Sequence, residues 1–391
     1  MRLNIESAMA EKGNSFGISL KNLQEVRGDL AAVQNEYLSA AEAGLIPFSQ
    51  NLEEKRAQAK KWQEEFLAVD EVWIIGEPSI LLALQLVLEK NDTENKFRWI
   101  SSADPRNFVS LDDKTKKRLA LLLTSLGWGR QLIKLLASSF QKIIICAGDG
   151  TEDTPDNLEK NEEELIFFEE GIADSRFALF SSLAFSLLED VDQAVNEFSA
   201  TIQELERKGM WENPSALLAC CLKSVETESN PTQLLLVGAR DCWSDWLRWA
   251  EMIWKGMGSI QRQVGGFQKQ WYGAASSFVL GDELGINQLG INAKERLLCL
   301  FEEREPKISN ITEEMVEIWN ISNDQIEEFL AFVAQRQYPI MNIQIQKISG
   351  TELLRLSVSW VHMIMLLNAL RGSNPLAMWG ADQWRLFRAT K

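Results

Sequence analysis

One histidine, three tyrosines and five cysteines in 391 residues remove several kinds of chemistry from consideration. A single histidine cannot build a histidine-rich metal centre. The cysteines (Cys146, Cys220, Cys221, Cys242 and Cys299) are odd in number and contain no Cys-x-x-Cys spacing, so neither a disulfide framework nor a zinc site is expected. They read as reduced core thiols of a cytoplasmic protein. No stretch of about 18 apolar residues is visible, so no membrane span is expected. Met1 to Gly13 is polar and has no apolar core of signal-peptide length. Acidic residues outnumber basic ones, 56 to 40. The formal net charge of -16 argues against nucleic acid or an anionic membrane as the main partner, while leaving room for a local phosphate pocket. Gly265-Gly266 and the glycines flanking Trp128 fit no dinucleotide or P-loop motif, so no cofactor is expected, and no metal.

Tryptophan, by contrast, is abundant, with 14 residues. Trp243, Trp246 and Trp249 recur at helical spacing, and such a stripe is usually core or interface. The length suggests two domains, and 46% hydrophobic residues suffice for a large core. Residues 20–68 have helical patterning. Glu71–Gly76, Phe97–Ile100, Leu119–Thr124 and Lys142–Ala147 then read as strands, with helices at Ser79–Leu88 and Gln131–Ser139 between them. Such alternation predicts a parallel sheet covered on both faces, with ligands beyond the carboxyl ends of its strands. The loops to watch are Gly76–Ser79, Ser101–Asp104 and Thr124–Gly129. After an acidic excursion at Gly148–Glu163, a second α/β unit is expected. Its strands are Gln233–Val237, Ser277–Leu280, Glu295–Phe301 and Ile340–Ile345. Its helices include Asn213–Leu222, Cys242–Met257 and Glu352–Leu370.

The C-terminal segment Ser373-Asn-Pro-Leu-Ala-Met-Trp-Gly380-Ala-Asp-Gln-Trp-Arg385 resembles the phosphoglucose isomerase signature Asn-Pro-Phe-Asp-Gln-x-Gly-Val-Glu-x-x-Lys. Further matches follow in order. Val72-Trp-Ile-Ile-Gly76-Glu-Pro-Ser79 is similar to a strand ending in Gly-x-Gly-Gly-Ser, and Ser102-Ala-Asp-Pro105 to Asn-x-Asp-Pro. Asp174-Ser-Arg176-Phe resembles Gly-Gly-Arg-Phe, Asn213-Pro-Ser-Ala-Leu resembles Asn-Pro-Ala-x-Leu, and Tyr338–Ile345 resembles the strand before the last helix. The resemblance implies two tandem sugar-isomerase (SIS) domains: doubly wound, mainly parallel sheets in three αβα layers with helical N- and C-terminal extensions. The expected boundaries are a helical segment at 1–68, SIS-like domains at 69–195 and 196–350, and a C-terminal helix with the signature at 351–391.

By resemblance the substrate is a glucose or fructose 6-phosphate. The reaction moves a proton between C1 and C2, and it needs a carboxylate base, a ring-opening group, an oxyanion-stabilising cation and a phosphate cradle. Ser79, Thr124, Ser125 and Gly127 fall on the phosphate cradle, where Leu126 and Trp128 replace hydroxyl residues. Glu77-Pro78 replaces two glycines. Arg176 falls on the family cation; an interdomain salt bridge is the competing reading. Arg385 falls on the signature lysine. The family base, in Glu-Ser-Leu-Gly-Lys, falls on Lys255 or Gly256, and Glu251 reads as solvated. The family histidine falls near Tyr272-Gly273-Ala274, where there is none; His362, on an apolar helix, reads as a satisfied core residue. Losing one acid/base group commonly costs about 10²–10⁴ in rate. The expectation is therefore a sugar-phosphate sensor or interaction protein with little turnover, with an isomerase using non-standard residues as the alternative. A homodimer, or a heterodimer with a paralogue, is implied by resemblance.

Overall fold

The structure, a computed structural model, describes residues 1–9, 17–42, 51–88, 96–101, 116–124, 126–147, 165–169, 171–207, 209–226, 233–258, 260–264, 268–272, 275–282, 296–304 and 313–372. Two compact units emerge, and neither is contiguous in sequence. The first-sheet unit comprises Ala40–Ile202 and Ser349–Arg355; the second-sheet unit comprises Met1–Ser39, Gln203–Ile348 and Leu356–Lys391.

In chain order the elements are β1 (Arg2–Asn4), α1 (Leu20–Glu42), α2 (Leu52–Leu67), β2 (Glu71–Gly76), α3 (Pro78–Gln85), β3 (Phe97–Ser101), β4 (Arg118–Leu123), α4 (Leu126–Leu136), β5 (Lys142–Ala147), β6 (Leu165–Phe168), α5 (Ser182–Ser186) and α6 (Val191–Leu205). The first sheet has the order β3-β2-β4-β5-β6, parallel throughout. Its central strands β2 and β4 are buried at every residue, as continuous apolar runs in a doubly covered sheet must be. On one face α4 sets Leu132 and Leu136 against Trp73, Ile75, Leu122 and Ile145. On the other, α2 presses Phe66 edge-on to Phe97 and Trp62 edge-on to Phe167, at centroid separations of 5.3 and 5.1 Å. This is a three-layer αβα sandwich. Strand β6, which the sequence pattern does not announce, closes one edge.

The chain continues with α7 (Pro214–Val225), β7 (Gln233–Gly238), α8 (Ser244–Ile253), β8 (Ile260–Val264), β9 (Gln268–Tyr272), β10 (Ala275–Val279), β11 (Arg296–Glu303), α9 (Glu313–Gln335), β12 (Ile340–Ile345) and α10 (Gly350–Leu370). The Asn213-Pro-Ser match has a structural role. Asn213 Oδ1 accepts the Ala216 N–H at 3.1 Å, its Nδ2 donates to the Leu205 carbonyl at 2.7 Å, and Pro214 occupies the first turn of α7. The second sheet has the order β1-β12-β11-β7-β10, with only β1 antiparallel, and β8 and β9 form a separate hairpin. Phe329 and Val333 of α9 cover one face, against Leu235, Val237, Leu298 and Leu300. The opposite side carries the tryptophan stripe. Trp243, Trp246, Trp249 and Trp254 are fully buried, and Phe301 of β11 lies 4.8 Å from Trp246 and 6.2 Å from Trp360 of α10. The stripe is core, as its spacing suggests.

Three expectations change. Helix α10 contains an 18-residue window apolar enough to cross a membrane by length and composition. That window is 83% buried within the protein, which makes it an interior helix. Cys242 is exposed, while the other four cysteines are buried and all five are free. His362 is a core residue but not a satisfied one. It is 1% exposed, Tyr37 meets it edge-on at 4.4 Å, and neither ring nitrogen has a hydrogen-bond partner.

Candidate functional site

A parallel sheet offers a ligand the crevice where successive connections leave in opposite directions. In the first sheet the chain passes from β2 to β3 on one side and then crosses to β4 on the other, so that crevice lies between the carboxyl ends of β2 and β4. Gly76 and Leu123 end these strands as a paired couple. A Cβ on Gly76 would approach the Leu123 side chain to 3.1 Å, so glycine permits the close approach of the two ends. Ser79, half-buried, stands in the first turn of α3, and Thr124, also half-buried, follows β4 directly. Thr124–Gly129, expected as a loop, is mostly helix: α4 begins at Leu126, which puts Gly127 in its first turn. Two helix N-termini thus start beside neighbouring strand ends, each with the positive end of its dipole; in α3 Pro78 has no N–H and the Ile80 and Leu81 N–H groups donate to the Glu77 carbonyl, which leaves Ser79 as the donor of that turn. The exposed Glu77 precedes α3 without capping it, and its carboxylate opposes an anion at the same place.

Beyond the end of β6 lies a second cluster. The Glu169 carboxylate accepts the Ser182 N–H at 2.8 Å and the Ser182 hydroxyl, which itself accepts from Trp62 Nε1 at 3.2 Å. Lys55 of α2 stands 3.8 Å from Glu169 and donates to the Phe180 carbonyl at 3.0 Å. Burial pushes the Glu169 pKa above its usual range, and Lys55 and the Ser182 bonds only partly restrain it. Nothing in the sequence pattern singled out Glu169. Arg176 is buried nearby in sequence and forks onto Asp174, with Nε at 2.9 Å from Oδ1 and Nη2 at 2.6 Å from Oδ2; it also lies over the Phe177 ring at 5.0 Å. Asp174 occupies a position where the resembled motif has glycine. It compensates the guanidinium locally and competes with any oxyanion for it.

In the second-sheet unit, Glu251 is not solvated. Its side chain is 19% exposed and accepts from both Lys255 and the Ser277 hydroxyl of β10. A π-helical turn, Trp254–Gly258, extends α8. A Cβ at Gly258 would come within 2.8 Å of the Trp254 ring, so the turn requires glycine there. Glu251-Met-Ile-Trp-Lys255 has the spacing of Glu-Ser-Leu-Gly-Lys without a gap, the signal that would have located this carboxylate. Ser125, the stretch Ser102–Pro105, Gly273-Ala274 and the signature segment with Arg385 lie outside the described residues. Among the described residues no cluster of three or more His, Cys, Asp and Glu side chains could hold a metal ion.

No protein-family model matches the sequence, and no curated protein does. Solved structures do. A glucose-6-phosphate isomerase from Chlamydia trachomatis superposes with a TM-score of 0.69 at 11% identity, over 99% of this chain and 90% of that one. The fold is that of a glucose-6-phosphate isomerase. A hypothetical protein from Thermus thermophilus superposes with a TM-score of 0.68 at 14% identity, over 94% of both chains. The glucose-6-phosphate isomerase fold accounts for the two αβα units in tandem. At these identities the architecture is shared, and the chemistry rests on the individual side chains.

Proposed function

We propose that this protein binds a sugar phosphate at the carboxyl edge of the first sheet and turns it over slowly, as a sensor or interaction protein built on an isomerase fold. The observation that carries this reading is the crevice between β2 and β4, beside which Ser79, Thr124 and the first turn of α4 stand as hydroxyl and backbone donors for an anion. Slow turnover follows from three features: Glu77 at the crevice, Asp174 occupying Arg176, and a lone histidine buried in the core. Calorimetric titration with 6-phosphogluconate should show saturable binding, weakened at least about tenfold in Ser79→Ala/Thr124→Val, as expected for two lost hydrogen bonds to a charged group. Unchanged affinity in that variant, or no binding at all, would sink the reading.

Glu251 favours a second reading, a working aldose–ketose isomerase. A half-buried carboxylate held between a hydroxyl and an ammonium can serve as a proton-transferring base. A coupled assay of fructose 6-phosphate conversion separates the two. Turnover above about 1 s⁻¹, lost in Glu251→Gln, would establish the isomerase. Slower turnover favours the binding protein; turnover above that rate that Glu251→Gln leaves unchanged would overturn the binding-protein reading and the role of Glu251 alike.

A further inference from the structure

We propose that the amino edge of the first sheet binds a small multivalent oxyanion, held by Arg98, Lys116 and Arg118 around the Glu71 carboxylate. This edge is about 17 Å from the carboxyl edge, the length of a six-residue strand, and it takes no part in the sugar-phosphate crevice.

The strands begin in register here. Glu71 of β2 pairs with Arg118 of β4, and the next residue, Val72, with Phe97 of β3, so the cations flank a central carboxylate from both neighbouring strands. Lys116 Nζ is 2.6 Å and an Arg98 Nη2 3.5 Å from Glu71 Oε1. Arg118 Nε is 3.0 Å from Oε2, to which Trp73 Nε1 also donates at 3.3 Å. Among the described residues one carboxylate therefore anchors three cations and leaves two positive charges uncompensated, in a chain whose net charge is -16. The surroundings add to the imbalance. Among the described residues, Lys96 and Lys117 begin the same edge beside the single carboxylate of Asp70, which accepts the Lys117 backbone N–H at 2.8 Å. Lys142, at the start of β5, is neutralised by Glu65.

Two features point to a ligand rather than to a solvated basic face. Arg118 is 5% exposed, and its Nη1 is buried without a hydrogen-bond partner, a cost normally avoided for a guanidinium. The cations also converge instead of spreading. Two inter-strand spacings set the width at about 10 Å, a size that suits one compact anion bridging them, and the Arg98 and Lys116 side chains are 55% and 44% exposed, with donors to spare. An extended acidic chain would call for a longer basic track.

Inorganic pyrophosphate is the probe. Titrated calorimetrically into the full chain, it should bind saturably, with affinity falling as salt rises. Arg98→Ala/Lys116→Ala removes two accessible cations and keeps the buried Arg118–Glu71 pair, so the protein should still fold cooperatively, with a lowered thermal midpoint from the loss of two partners of Glu71. Pyrophosphate affinity in this variant should drop at least about tenfold, as expected for two lost charge-assisted contacts, while 6-phosphogluconate binding is unchanged. Ser79→Ala should leave pyrophosphate binding intact. Absence of saturable binding, equal affinity in Arg98→Ala/Lys116→Ala, or a loss caused by Ser79→Ala instead would each overturn the proposal.

Discussion

Replacing Lys55 by methionine should destabilise the protein by about 3–5 kcal/mol at pH 8, the usual cost of removing one member of a buried ion pair. Lys55 and Glu169 have side chains 8% and 10% exposed, and Lys55 is the cation that offsets the burial of Glu169. Methionine retains the length of the side chain and much of its packing, so the expected loss is electrostatic. The pH dependence identifies the cause. A carboxyl whose folded pKa is raised binds its proton more tightly in the folded state than in the unfolded one. Stability is therefore lost as pH rises from the unfolded value of 4.5 through the folded pKa. Without Lys55 the folded pKa should rise further, and the deficit of Lys55→Met should shrink as the pH is lowered from 8 toward 5. Urea unfolding of parent and variant at a series of pH values measures this. A deficit that stays constant with pH would assign the loss to packing and to the lost hydrogen bond to the Phe180 carbonyl. Lys55→Arg, which keeps the charge, should lose much less.

Strands β2, β4 and β7 were legible in the sequence because a buried parallel strand must be a short apolar run, and β12, Ile-Met-Asn-Ile-Gln-Ile, because its apolar residues alternate with polar ones. Helix α9 could have been read from Ile326, Phe329, Leu330 and Val333, whose spacing makes one apolar face. Strand β1 could not. Arg2–Asn4 is a three-residue edge strand, and its conformation comes from pairing with β12, more than 300 residues away. At the crevice, the loops that hold Ser79 and Thr124 could be anticipated because they follow strand ends, and the two residues themselves were named from the resemblance. The charge balance around Glu71 was invisible, since its cations come from other strands. Glu251 was misread because it was judged by its own helix alone, whereas Ser277, on β10, is what removes it from solvent. Local pattern encodes elements and their ends. It does not encode which polar groups meet across them.

His362 should make the protein acid-sensitive well above the carboxylate range. Burial pushes its pKa down to about 3 from an ordinary 6.5. The imidazole lies in the core of the second-sheet unit with both nitrogens unpartnered. Tyr37 faces it edge-on, its own hydroxyl pushed by burial and by Glu206 further toward the neutral form, and burial is what sets the direction of the His362 shift. A group whose folded pKa is depressed stabilises the folded state fully above its unfolded pKa and loses that contribution as the pH falls. The loss should begin near pH 6.5 and proceed at up to about 1.4 kcal/mol per pH unit toward pH 3. Glu71, held down to about 2 by Lys116, Arg118, Trp73 and Arg98 in spite of its burial, adds a similar loss, but only below pH 4.5. Glu169, with its raised pKa, also titrates between pH 6.5 and 4.5 and with the opposite sign, so the difference between the parent and a His362 variant, in which that contribution cancels, isolates the histidine. His362→Met should match or exceed the parent at pH 7, because it removes two unsatisfied polar atoms. Its advantage should widen by about 2–3 kcal/mol by pH 4.5, the slope above carried over two pH units. Thermal unfolding of both proteins across that interval gives the difference directly. Parallel curves would mean that His362 is protonated in the folded state through a partner or water path that its surroundings do not show.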